Sequence, residues 1–189
     1  MSYFQAKRFN KKAQKEKYKS EEVINRLDVK EGDKVADIGS GGGYFSYKFA
    51  EIVGDEGVVY AADTNMSFLE FIEKESEKRN LNNIETIFIE NTTFEIEDSD
   101  LDIIFMRNVT HHIDNRNEYF KRLKKYLKKD GKFVIIEYQK KNNKSFSSMF
   151  GHYVKKETLI DEMKRAGYKL IKEYNFLPEQ NFTIYTPIN

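Results

Sequence analysis

From position 34 onward the chain alternates. Short apolar runs, β-branched or aromatic, are separated by longer stretches whose apolar residues recur at helical spacing. The runs cover residues 34–39, 58–63, 84–89, 101–107, 132–138, 168–176 and 181–186. The second, fourth and fifth are nearly continuous apolar, the pattern of parallel strands covered on both faces. Between them, Phe45, Phe49, Ile52 and Val53 share one face of a predicted helix that ends at Gly54, and Leu69 and Ile72 anchor the next. Tyr119, Leu123, Tyr126 and Leu127 line a third, stopped by Gly131. Leu159, Ile160 and Met163 line a fourth, stopped by Gly167. Glycine just past a helix is the favoured left-handed cap. Strand–helix repetition predicts right-handed crossovers and an α/β fold with an open, mostly parallel sheet. The last two runs have only residues 177–180 between them and predict an antiparallel hairpin at one sheet edge.

At 189 residues and 22.4 kDa the chain is the size of one domain, and its 39% hydrophobic content is enough for a core. It has no cysteine, which excludes disulfides, thiolate zinc sites, iron–sulfur clusters and Cys nucleophiles. No apolar run reaches the roughly 18 residues that predict a membrane span, and the first residues lack the apolar core of a signal peptide. A reduced, cytoplasmic protein is expected. The net charge of +1 gives no global argument for nucleic-acid binding. Charge is nonetheless segregated. Lys7, Arg8, Lys11, Lys12, Lys15, Lys17 and Lys19 face a single acid, Glu16, in the first twenty positions, whereas residues 81–106 carry acids and no Lys or Arg. Solvated helix faces explain this pattern; a basic rim for an anionic acceptor is the functional alternative.

The most informative segment is Asp37-Ile38-Gly39-Ser40-Gly41-Gly42-Gly43-Tyr44, a buried strand running through a glycine-rich turn into a helix. Glycines allow close backbone approach to a ligand, and helix-start N–H groups attract negative charge. The Gly-Lys-Ser/Thr of a phosphate-binding loop is absent, and a dinucleotide fingerprint would need glycine where Tyr44 stands. The next strand ends on Asp63, an acid able to accept from both hydroxyls of a ribose.

These residues, followed by the 105–113 segment FMRNVTHHI and the 127–138 segment LKKDGKFVIIEY, resemble class I S-adenosylmethionine-dependent methyltransferases. Within that class they resemble the small-molecule branch that includes ubiquinone/menaquinone C-methyltransferases. The resemblance spans residue 28 to the C-terminus and implies a Rossmann-like open seven-stranded, mostly parallel sheet flanked by helices, with a C-terminal antiparallel hairpin. It implies one methyltransferase domain over 1–189: an N-terminal helical lid at 1–27, a cofactor-binding core at 28–139, and a substrate-side loop, helix and hairpin at 140–189. Gly39, Ser40 and Gly41 would pass under the methionine part of S-adenosylmethionine, with Asp37 near its amino group. Asp63 would hold the ribose hydroxyls, Asn65 and Met66 would lie beside the adenine, and Thr64 between them belongs to the same cofactor-binding set. Asn91, followed by Thr92, stands where the family usually carries an adenine-binding Asp; Asn still offers a side-chain oxygen. The backbone at Arg107 and Asn108 would border the methyl donor. The usual Leu-Lys-Pro-Gly-Gly turn appears as Leu127-Lys128-Lys129-Asp130-Gly131.

Methyl transfer needs a general base only where the acceptor must lose a proton. The candidates are His111 and His112, at the end of a central run where open α/β sheets build their sites, and His152 after the long polar connection. Adjacent histidines cannot both point the same way, so one at most is expected to face the acceptor. His112 precedes Ile113 and Asp114, the expected helix cap. Tyr3, Phe4 and Tyr18 belong to the expected lid, and Tyr44 follows the glycine loop; packing accounts for each. No metal site is expected, since adjacent histidines do not form the helical i, i+4 pair of a zinc enzyme. With prolines only at Pro178 and Pro187, the Pro-Pro-aromatic motif of adenine methyltransferases is absent, and thiol-dependent cytosine or arsenic chemistry is excluded or disfavoured by the lack of cysteine. The expectation is direct methyl transfer to a small-molecule acceptor, yielding S-adenosylhomocysteine, by a monomer or homodimer. An RNA or protein methyltransferase docking its substrate on the basic N-terminal helix, and a non-catalytic S-adenosylmethionine-binding module, are the alternatives.

Overall fold

The computed structural model describes residues 2–90, 93–96, 100–139 and 153–188. The helices are α1 (Ser2–Ala13), α2 (Ser20–Leu27), α3 (Tyr44–Val53), α4 (Met66–Arg79), α5 (Arg116–Leu123) and α6 (Lys156–Arg165). The strands are β1 (Lys34–Ile38), β2 (Val58–Asp63), β3 (Ile84–Phe88), β4 (Leu101–Arg107), β5 (Leu127–Tyr138), β6 (Tyr168–Tyr174) and β7 (Gln180–Pro187). They form a seven-stranded sheet in the order β3-β2-β1-β4-β5-β7-β6. This is the expected Rossmann-like arrangement, with β6 and β7 as the antiparallel hairpin. The chain gathers into two compact units, Met1–Ile96 and Glu97–Asn189.

In the first unit β1 pairs with β2 and β2 with β3, all parallel. Val35, Ala36, Ile38, Val59, Ala61 and Ala62 are buried, as strands covered on both faces require. Helix α3 buries Phe45, Phe49 and Val53, spaced four residues apart on one face, and ends at Gly54 with φ +65°. Helix α4 starts on Asn65, whose side chain accepts the Ser67 N–H at 3.1 Å, and stops at Asn80 in the left-handed region. Helix α1 lies on α4: Ala6 is buried among Phe68 and Phe71, and Tyr3 meets Phe71 edge-on.

In the second unit β4 and β5 are parallel, and β7 runs against both of its neighbours, β5 and β6. Phe120, Phe133 and Tyr168 stack edge-to-face, and the Tyr168 hydroxyl donates to the Phe120 carbonyl at 3.0 Å. Arg116 of α5 and Glu162 of α6 form a two-pronged ion pair at 2.7 and 2.9 Å. Two sequence expectations fail here. The third helix does not run to Gly131: it ends at Leu123, a 3₁₀ turn follows at Lys124–Tyr126, and β5 begins at Leu127. Leu127 pairs with Leu101, after which the register shifts so that Ile103 faces Lys132. Gly131 sits inside this irregularity, where a Cβ would press on the Leu127 side chain and the Leu101 carbonyl oxygen. The cap of α5 is Asn115 and not Asp114. No helix among the described residues is long and apolar enough to cross a membrane.

Candidate functional site

The glycine loop leaves the C-terminal end of β1, where parallel sheets build their sites. Asp37, the penultimate residue of that strand, is buried and accepts the Ser46 hydroxyl of α3 at 2.6 Å. The Gly39 and Ser40 N–H groups both donate to the Ala62 carbonyl, at 2.7 and 3.1 Å. Gly41 N–H donates to Asp63 Oδ2 at 2.9 Å, while Asn65 N–H donates to Oδ1 at 3.0 Å. The acid that ends β2 is thereby locked against the middle of the loop. Burial pushes the Asp63 pKa up, and the N–H groups of Gly41, Asn65 and Thr64 oppose that shift. Gly39, Gly41 and Gly43 all have positive φ.

The second unit carries a separate polar cluster. Thr110, His111 and His112 form a 3₁₀ turn just beyond β4, and all of them lie near Glu137 at the end of β5 or beside its partner. Glu137 is 0% exposed. Its Oε2 accepts the Thr110 hydroxyl at 2.6 Å and the His111 N–H at 3.3 Å. Its Oε1 accepts the Tyr138 N–H at 2.8 Å and lies 3.0 Å from His111 Nδ1. The His111 side chain is nearly buried and His112 is exposed, yet the two rings lie side by side with centroids 4.1 Å apart. The expectation that the two histidines diverge is therefore corrected: a 3₁₀ turn brings the rings together, where an extended strand would send them to opposite faces. Asn108 holds a left-handed backbone (φ +56°), with its N–H on the Ile136 carbonyl and its side-chain oxygen accepting from the buried Gln180 at 2.6 Å. Gln180 also accepts from Arg107 at 3.4 Å.

A strand, a glycine turn, a helix and an acid at the tip of the next strand meet as the sequence motif requires, and residues 29–175 match the family model described as a methyltransferase domain. The chain belongs to this methyltransferase family. It is 28% identical to the ubiquinone/menaquinone biosynthesis C-methyltransferase of Francisella philomiragia over 70% of this chain and 53% of that protein. It is 33% identical to the (S)-coclaurine N-methyltransferase of Thalictrum flavum over 58% of this chain and 30% of that protein. The chain thus spans about half, or less, of the length of these relatives. A crystal structure of an S-adenosylmethionine-dependent methyltransferase from Aquifex aeolicus shares the fold, with TM-score 0.87, 21% identity and 97% of each chain covered.

S-adenosylmethionine is the cofactor of this methyltransferase class, and the residues present fit it. The Asp63 carboxylate is biased toward its neutral form by burial, so ribose hydroxyl donors would stabilise its charge. Asp37 lies near the end of β1, and Gly39, Ser40, Gly41, Asp63, Thr64, Asn65 and Met66 fall on the loop, at the end of β2, or at the start of α4. Asn65 spends its side-chain oxygen on the α4 cap, and Met66 is half exposed. Arg107 ends β4 in the second unit, Asn108 follows it, and His111 and His112 lie on the turn beyond. Asn91, Thr92 and His152 lie outside the described residues, as does the polar connection 140–151.

Two features of this methyltransferase escape the motif. Not every glycine of the loop is there for a ligand: a Cβ on Gly42 would overlap the Ala6 carbonyl oxygen and the Asn10 side chain of α1. Asn10 bonds the loop twice, donating to the Gly42 carbonyl at 2.6 Å and accepting the Tyr44 N–H at 3.1 Å. It thereby supplies from α1 the N-terminal cap that α3 lacks in its own sequence. Glu137 is the second, a lone acid at the end of the apolar run 133–136; that position was its only visible signal.

Proposed function

We propose that this methyltransferase domain moves the methyl group of S-adenosylmethionine to a small-molecule acceptor by direct in-line displacement. The observation that carries the reading is the Asp63 carboxylate locked against Gly41 at the ends of two parallel strands. In this reading Asp37, Gly39, Ser40 and Gly41 hold the methionine part, Asp63 takes the ribose, and Thr64, Asn65 and Met66 border the adenine. The cofactor supplies an electrophilic methyl on a sulfonium that departs as a neutral thioether. The chain's own task is orientation and exclusion of water, which is worth up to about 7–11 kcal/mol when reactants are well aligned.

The relatives named for ubiquinone/menaquinone biosynthesis and for (S)-coclaurine favour a small-molecule acceptor. The cysteine-free sequence suits a reducing cytoplasmic setting. The RNA or protein alternative rests on α1, whose sequence carries Lys7, Arg8, Lys11 and Lys12 and no acidic residue. Calorimetry decides the cofactor half. Asp63→Ala removes charged hydrogen bonds of about 1.5–3 kcal/mol each, so S-adenosylmethionine should bind at least tenfold more weakly. Unchanged affinity would refute the assignment. A methyl-transfer screen over metabolite and RNA pools with labelled cofactor decides the acceptor half: label in RNA alone would replace this reading with the alternative.

A further inference from the structure

We propose that the outward face of α1 docks on an anionic lipid bilayer, with the Phe4 ring passing below the headgroups and Lys7, Arg8 and Lys11 meeting the lipid phosphates. This surface is independent of the methyl-transfer reading above and holds for any acceptor.

The inward face of α1 is already committed. Tyr3, Ala6 and Asn10, three and four residues apart, share one side of the helix. Tyr3 and Ala6 pack on α4, and Asn10 bonds the glycine loop at Gly42 and Tyr44. Phe9 turns to the same body, against Gly41 and edge-on to Phe68. These contacts fix how the helix is rotated. At 3.6 residues per turn they send Phe4, Lys7, Arg8 and Lys11 outward as one stripe. All four are exposed, and Phe4, at 75%, is more so than any other large apolar side chain among the described residues. Among those residues, Lys7, Arg8 and Lys11 form no ion pair and Phe4 makes no ring contact.

Ordinary helix chemistry does not account for this stripe. The helix dipole favours Lys11 and Lys12 in the last turn, but not Lys7 and Arg8 in the middle. Solubility calls for charges of both signs and no bare ring, whereas α1 carries no acid. A bilayer answers both features at once. Its anionic headgroups attract Lys and Arg at short range, and an apolar layer lies directly beneath them for a lone ring. Single-stranded nucleic acid is held by several stacking rings along one groove, and the outward face of α1 presents one. The contact is one of lying on the membrane, since no helix among the described residues is long and apolar enough to cross it.

The chain has no tryptophan, so a Phe4→Trp variant of the whole protein places a single reporter in the outward face. Its emission should shift to the blue with phosphatidylcholine vesicles that contain phosphatidylserine and stay unshifted with phosphatidylcholine alone. The unchanged protein should co-sediment with the same anionic vesicles, which shows that the new ring does not create the binding. Lys11→Glu changes the local charge by two and should weaken vesicle affinity about 25-fold at low salt, with an unaltered melting temperature. Lys7→Glu repeats that measurement on a second cation. Binding without the blue shift would leave the ring in water and overturn the insertion. No binding to anionic vesicles, or undiminished binding after both charge reversals, would overturn the docking. Release from the vesicles by a short RNA at equal phosphate would assign this face to nucleic acid and overturn it too.

Discussion

Asp63 shows how a single residue can cost stability and still be kept. Burial raises its folded-state pKa above the ordinary 3.8, so the folded chain holds the proton more tightly than the unfolded chain does. Its contribution to stability is therefore fully present below 3.8 and is lost as pH rises through the raised value. At neutral pH the ionised Asp63 is a net cost. Asp63→Asn removes the charge and keeps an oxygen for Gly41 N–H, but its NH2 group cannot accept the Asn65 N–H; without ligand, its melting temperature should gain on that of the unchanged protein as pH rises towards 7. The same variant should bind S-adenosylmethionine at least tenfold more weakly; the unchanged protein should lose affinity as acid protonates Asp63, and the variant should not. A melting-temperature difference that stays constant with pH, together with unaltered binding, would contradict this account. Gly42 makes a different residue-scale point. Gly42→Ala should destabilise by about 1–3 kcal/mol and speed hydrogen exchange in α1, because the new methyl takes the place of the Ala6 carbonyl. Gly32→Ala, with nothing within 4 Å of its Cβ and only a positive φ against it, should cost about 1 kcal/mol and leave α1 exchange unaltered.

At the scale of elements, the parts that periodicity describes are those whose neighbours are local in sequence. Phe45, Phe49 and Val53 announce α3, and the apolar run at 58–63 announces β2, because each face packs along its whole length. The boundary of β5 escapes periodicity for the opposite reason. Leu127 and Gly131 look like a helix end and its cap, but Leu127 finds its partner in Leu101, a residue 26 positions earlier, and no local pattern reports that pairing. The tie between α5 and α6 is of the same kind. Arg116 and Glu162 are 46 positions apart and mostly buried at their charged ends. Removing one partner strands the other, and Glu162→Ala should cost about 3 kcal/mol or somewhat less, given the remaining solvent access. Thermal unfolding would show this as a drop of several degrees; a shift under one degree would mean that the pair is solvated in solution.

For the whole molecule, the net charge of +1 leaves no long-range attraction for a polyanion, and the cations of α1 act only over about 10 Å at 0.1 M salt. Fluorescence anisotropy with a short single-stranded RNA should therefore show weak binding at low salt that is gone at physiological ionic strength. Micromolar binding retained at 150 mM salt would favour the macromolecular alternative. The sequence by itself determined the alternation of strands and helices, the glycine turn and the acid at the end of β2, because these depend on side-chain periodicity and on short-range backbone freedom. From these the family and its cofactor follow. Tertiary structure alone decided which groups answer the motif's remaining polar atoms. Asn10 caps a helix 34 residues ahead of it, and Glu137 gathers Thr110 and His111 from 26 or more positions away. Partnerships of that kind depend on where buried polar groups meet after the chain has crossed over, and hydrogen-bond satisfaction at such distances leaves no period in the sequence.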